Sequence, residues 1–222
     1  MSTENDCLRA HWLALLKRHR VIAVIRTASV ELALNMARAA AAGGIGLIEV
    51  AWNSTCPAET IGAIQQALPH CAVGVGTVLS ATDLAEAIAA NAQFCFTPHT
   101  DRELIDRAQR HRLPIISGAM TPTEIVTAWR AGATSVKVFP ISALGNSAYI
   151  RSVLEPLGPI PLVPTGGVTV DSAPELIKAG AAAVGLSTAL FPQKEVNDGN
   201  WTAIEARSRY LLSRLIDQQS AS

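Results

Sequence analysis

Short apolar runs alternate with longer Ala-rich stretches of helical period along almost the whole chain. The runs cover residues 21–25, 46–51, 72–75, 93–97, 114–117, 135–139, 161–165 and 183–186. Each is too short for a helix, and many positions of both parities are apolar. That is the pattern of parallel strands packed on one face and covered by helices on the other. Between them the periodicity predicts helices near 30–42, 57–68, 81–90, 101–111, 122–131, 147–154 and 173–179. Pro122 and Pro174 fall where a first-turn proline is tolerated, and Gly43, Gly132 and Gly180 follow their helices as stops. A further helix, about 4–20, precedes the first strand and is placed to cap one end of the fold. Residues 201–216 read as a final helix, 193–200 as the loop leading to it, and 217–222 as a polar, disordered tail. Strand-like runs alternating with helices, without an early GxGxxG, predict a closed (β/α)8 barrel, with an open doubly wound sheet as the alternative. Residues 1–222 are expected to form a single domain, its barrel spanning about 21–192.

Composition narrows the function classes. Lys+Arg and Asp+Glu are both 18, so no basic excess points to nucleic acid or an anionic membrane surface. The hydrophobic fraction of 49% against 16% charged suits a large interior. Cys7, Cys56, Cys71 and Cys95 form no CxxC and no Cys/His cluster, so neither a metal nor a disulfide framework is expected. The polar N-terminus lacks a signal-peptide core, and no apolar run reaches the ~18 residues of a membrane span. A cytoplasmic protein without membrane or nucleic-acid partners is expected.

Candidate chemistry concentrates at the strands. Of Lys17, Lys137, Lys178 and Lys194, only Lys137 lies in a strand, within Ser-Val-Lys-Val-Phe-Pro. Val136 and Val138 have the opposite parity, so if they face the helices Lys137 faces the barrel interior. An unpaired ammonium there is costly, and the neutral amine is the form that attacks a carbonyl to make an imine. The alternative is a lysine paired with a carboxylate. Glu49, between Ile48 and Val50, repeats the pattern in the second strand and suits proton transfer or a counter-ion role. Arg26 follows the first strand, at the end where such barrels carry their sites; it suits a substrate carboxylate or phosphate, or a salt bridge to Glu49. Thr77, Thr97, His99 and Thr165 also fall at strand ends, His99 with a structural role as the alternative. Gly166 and Gly167 after the seventh strand, with Ser187 and Thr188 after the eighth, occupy the loops that commonly bind phosphate in this architecture.

The segments IEVAWNS, VGVGTVL, FTPHTD, SVKVFP and PTGGV, in this order and spacing, resemble the lysine-dependent 2-keto-3-deoxy-6-phosphogluconate (KDPG) and 4-hydroxy-2-oxoglutarate (KHG) aldolase family. VKVFP is the most specific. The resemblance spans about residues 21–192 and implies a (β/α)8 barrel, commonly a homotrimer, that uses no cofactor. It places the Schiff-base lysine on Lys137 and the catalytic glutamate on Glu49. Arg26, Thr77, Thr97 and Pro98 match further family positions. Two departures stand out. Asn53 occupies a place where many KDPG aldolases carry an arginine, although galactonate-type (KDPGal) relatives also have asparagine. The family's Gly-Ser phosphate pair reads Ser187-Thr188, whose bulk narrows the phosphate pocket and favours a smaller, unphosphorylated substrate.

The expected reaction is cleavage of a 2-keto-4-hydroxy acid to pyruvate and an aldehyde. Lys137 forms the imine that withdraws electrons, and Glu49 moves the C4 hydroxyl proton. Arg26, Asn53 and Thr77 lie toward the carboxylate, with Thr97, Pro98 and Thr165 at the substrate wall. The same imine would promote decarboxylation of oxaloacetate, the first alternative. A phosphate-binding barrel of another class, or a metabolite-binding barrel without turnover, is the second.

Overall fold

The computed structural model describes residues 3–216; the expected 217–222 tail lies outside them. The strands are β1 (Val21–Ile25), β2 (Leu47–Ala51), β3 (Ala72–Gly76), β4 (Cys95–Phe96), β5 (Ile115–Ala119), β6 (Ser135–Val138), β7 (Leu162–Pro164) and β8 (Val184–Leu186). All pair in parallel with their sequence neighbours from β1 to β7, and β1 pairs with β8. The last seam closes through the Thr165–Gly185 bridge and the Ala182 amide, which donates to the Leu162 carbonyl at 2.8 Å. The result is the (β/α)8 barrel, not the open sheet.

The helices are α1 (Thr3–His19), α2 (Val30–Ala42), α3 (Pro57–Ala67), α4 (Ala81–Ala89), α5 (Arg102–Arg110), α6 (Pro122–Ala131), α7 (Ser147–Leu157), α8 (Ser172–Lys178), α9 (Gln193–Asn197) and α10 (Trp201–Ile216). Local chemistry sets several starts. Ser80 with Asp83, and Thr121 with Glu124, form reciprocal capping boxes, and Pro57 and Pro122 open their helices. Two expectations need correction. The fourth strand, expected over 93–97, is regular only at Cys95–Phe96, although the Gln93 and Thr97 amides still donate to the Val73 and Ile116 carbonyls at 2.9 and 3.1 Å. The expected loop 193–200 contains the short helix α9. Side-chain pairs one turn apart, Gln193 with Asn197 and Lys194 with Asp198, support it, Val196 is buried beneath it, and Glu195 pairs with Arg207 of α10.

Strand parity divides the apolar residues into two groups. Val21, Ala23, Ile25, Ile48, Val50, Val136 and Val138 pack outward against the helices. Ile22, Val24, Leu47, Phe94, Phe96, Ile116 and Val163 fill the barrel. Trp12 and Leu16 of α1 join this inner group and plug the end where the strands begin. Trp12 stacks 5.1 Å from Phe94, ring centre to ring centre, and its indole N–H donates to the Ser135 hydroxyl at 2.9 Å. With that end closed, a polar site can open only where the strands finish.

Candidate active site

Lys137 shares its parity with Ser135, and so points into the barrel, two residues closer to the open end. It is 5% exposed, and Glu49, third in β2, is 2% exposed. The Lys137 Nζ lies 5.6 Å from the centre of the Phe96 ring beneath it and 5.1 Å from that of Phe139. Among the described residues it forms no hydrogen bond and no ion pair, so the alternative of a lysine locked onto a carboxylate does not hold. Glu49 is close enough to feel it. Burial pushes the Glu49 carboxyl above the ordinary carboxylate range, while Lys137 and, less strongly, Arg26 pull it back. Gly76 makes room for that carboxylate, since a Cβ there would fall 1.7 Å from Glu49 Oε1.

The other candidates ring the mouth. Arg26 is exposed, and its Nη2 reaches the Thr77 hydroxyl at 3.4 Å, a weak contact. It makes no direct ion pair with Glu49 among the described residues. Thr77 adopts φ +60°, a left-handed conformation costly for a β-branched residue. Asn53 is exposed in the turn after β2 and has no hydrogen-bond partner among the described residues. The hydroxyl of buried Thr97 donates to the His99 carbonyl at 2.7 Å and accepts from the Gly118 amide at 3.3 Å. Thr97 therefore shapes the turn, and His99 takes part through its backbone. Pro98 packs against Gly118, where a Cβ would meet its carbonyl carbon at 2.2 Å. Thr165 is buried, its carbonyl accepting from the Ile141 amide at 2.9 Å. Gly166 and Gly167 form a turn with φ of +84° and +80°. Ser187 and Thr188 line a cavity of about 470 Å³ with Arg26, Leu32, Met36 and Phe191. It lies on the β1 side of β8, whereas the glycine turn lies on the β7 side.

Sequence reasoning missed four contributors to the site. Phe139, 37% exposed, covers Lys137 from above, and Phe96 supports it from below. Both were findable: Phe139 continues the inward parity of Lys137, and Phe96 sits inward in the next-but-one strand. Gly76 carries no side chain to attract notice, and its importance follows only from what stands beside it. Ser142, in the 3₁₀ turn Ile141–Leu144 after β6, lies against Gly167.

Known proteins resemble this chain in sequence and in fold. Residues 13–207 match the KDPG and KHG aldolase family. A 2-dehydro-3-deoxy-phosphogluconate aldolase of Treponema pallidum is 32% identical over 197 residues, 89% of this chain and 94% of the relative. Among solved structures, a KDPG aldolase of Legionella pneumophila, with pyruvate captured as a covalent carbinolamine intermediate, superposes with a TM-score of 0.83 at 26% identity, covering 90% of this chain and 97% of the other. A native KDPGal structure gives a TM-score of 0.81 at 29% identity, covering 89% and 94%. With the matching barrel and a family match across most of its length, the chain belongs to the KDPG and KHG aldolase family.

Proposed function

We propose that this protein is a Schiff-base aldolase that reversibly cleaves a 2-keto-4-hydroxy acid, KDPG or KHG, into pyruvate and an aldehyde. The observation that carries the reading is the buried, unpartnered amine of Lys137 set in the same interior as Glu49. In this reaction the Lys137 amine adds to the C2 carbonyl, and loss of water leaves an iminium. The C3–C4 bond then breaks, and its electron pair moves into the iminium to form an enamine. Glu49, with its proton affinity raised by burial, takes the C4 hydroxyl proton as the aldehyde departs. Protonation of the enamine at C3 and hydrolysis release pyruvate and free Lys137. Arg26, Thr77 and Asn53 bind the carboxylate end; Pro98 and Thr165 form the wall, held in shape by Thr97. Gly166 and Gly167, with Ser187 and Thr188 across β8, take the distal end.

The whole chain acts as one barrel domain, working as a homotrimer in the cytoplasm. No helix among the described residues is long and apolar enough to cross a membrane. The recess between α3 and α4, where Trp52, Pro57, Ala58, Ala89 and Ala90 stand beside Cys56 and the carboxylates Glu59 and Glu86, offers partly apolar surface for contacts between copies. Decarboxylation of oxaloacetate and a non-aldolase barrel are not favoured, since the relatives matched are aldolases. Incubation with pyruvate and borohydride tests the mechanism: mass spectrometry should find a reduced pyruvyl group on Lys137. No adduct, or one confined to Lys17, Lys178 or Lys194, refutes it.

A further inference from the structure

We infer that Phe96 and Phe139 form an aromatic clamp about the Lys137 nitrogen and hold the positive charge of the iminium made there with the substrate. The inference rests on the aldolase reading above and deepens it. The Lys137 Nζ lies over both rings, 5.6 Å from the centre of Phe96 and 5.1 Å from that of Phe139. Both distances fall within the roughly 6 Å over which a ring face attracts a cation. The rings reach the amine from different parts of the wall. Phe96 points inward from β4, and β5, which stands between β4 and β6, presents Gly118 beside Lys137 and so no side chain at that level. Phe96 is fixed edge-on against Phe94 at 5.8 Å and Trp12 at 6.3 Å. The Phe139 amide donates to the Ala119 carbonyl at 3.0 Å, and its ring abuts Gly166, where a Cβ would come within 2.8 Å of it. Both rings are therefore in place before any substrate arrives, and no reorganisation is needed when the charge appears.

The chemistry requires such a partner. The amine adds to the C2 carbonyl, and the carbinolamine hydroxyl takes up a proton and leaves as water. The nitrogen keeps one hydrogen and gains a double bond to C2 and a positive charge. Only this protonated form is a strong electron sink when the C3–C4 bond breaks. A buried cation without a partner is costly, and among the described residues Lys137 has neither a hydrogen bond nor an ion pair. Glu49 is close enough to interact, but burial raises its proton affinity, and in the reaction its proton comes and goes. The ring faces carry a negative potential that no proton removes, and burying them is itself favourable. They favour the charged imine over the neutral one at every step, whatever the state of Glu49.

The test places difluoro- or trifluorophenylalanine at position 139 or at position 96 by site-specific incorporation. Fluorine draws negative charge off the ring face and leaves the ring's shape nearly unchanged, so packing and folding are kept. At saturating pyruvate, cyanoborohydride reduces the iminium but not the neutral imine. The pH at which reduction on Lys137 falls to half therefore reports how firmly the iminium keeps its proton. One ring face corresponds to roughly a two- to thirtyfold preference for the cation. Trifluorophenylalanine at either position should lower the midpoint by about 0.3–1.5 pH units, with difluorophenylalanine in between, and the alkaline limb of kcat should move with it. Phe139→Leu, which removes the ring, should lower it at least as far. The ionisable groups around the amine are Glu49 in β2, Arg26 after β1, Cys95 on the outer face of β4 and His99 after β4; β3, β5, β7 and β8 carry none. All are the same in every fluorinated protein, so a difference in midpoint isolates the ring. A midpoint common to all the proteins overturns the clamp, as does an equal shift with trifluorophenylalanine at position 94, where the ring packs on Trp12. A native protein with no Lys137 adduct at any pH overturns the aldolase reading as well. An adduct whose midpoint does not move leaves that reading standing and removes only the clamp.

Discussion

Glu49 and Lys137 were each picked out by one property, an ionisable residue whose flanking neighbours are apolar at the opposite parity. In the fold both neighbours do pack toward the helices, and both ionisable groups are left in the interior. What parity could not show is how far each group is desolvated and what stands near it. Burial dominates at Glu49 and raises its proton affinity despite two nearby cations. The consequence for stability has a definite sign. A carboxyl with a folded-state pKa above its unfolded value contributes stability that is full at pH below the unfolded value and is lost as pH rises through the folded one. Glu49→Gln removes this titration, so the native protein should lose thermal stability relative to the variant as pH rises above the ordinary carboxylate range. Parallel melting curves across that range check it, and a gap that shrinks with rising pH contradicts it. The same variant should slow cleavage by about 10²–10⁴-fold, while pyruvate still forms its imine on Lys137. Unchanged turnover would reduce Glu49 to a structural role.

The helix before the barrel, α1, has little amphipathic pattern of its own, yet its Trp12 and Leu16 are completely buried. Trp12 closes an aromatic group with Phe94 and Phe96, and Phe96 in turn supports Lys137. Removing a buried Trp side chain costs about 3–5 kcal/mol through lost burial and the cavity left behind. Trp12→Ala also leaves the Ser135 hydroxyl without its indole partner. Thermal unfolding should fall by roughly 10 °C for a chain of this length, with trapping of pyruvate on Lys137 retained in the folded protein at low temperature. A change below about 2 °C would mean that α1 does not plug the barrel. Gly43 shows a similar dependence on a distant element. It follows α2 as its C-cap, as expected, but with an ordinary right-handed φ of −77°. Its missing side chain also admits α10, since a Cβ would lie 2.3 Å from the Ser208 Cβ.

For the assembled protein, the family resemblance and the partly apolar recess between α3 and α4 support a trimer. Leu79, 57% exposed, adds apolar surface. Sedimentation equilibrium should therefore give a mass near three copies of the 23.4 kDa chain, and a stable monomer at working concentration contradicts it. The barrel itself follows from pairing that runs in sequence order around the wall and returns to its start. β1, between β2 and β8, is the strand that completes the circle.

Strand order, barrel closure and the inward direction of Lys137 and Glu49 were legible along the chain. They depend on short-range alternation and on the strand–helix rhythm, both of which a linear pattern records. The tertiary structure alone decided which groups meet across the barrel. Gly76 clears space for Glu49, Thr97 spends its hydroxyl on the His99 carbonyl, and Ser187 and Thr188 share a cavity with Arg26 on the β1 side of β8. Ser142 reaches Gly167 because two backbone bonds join the turns after β6 and β7. Such contacts join residues separated by tens of positions. They depend on register and on the volume left by absent side chains, and neither is written in the periodicity of any one segment.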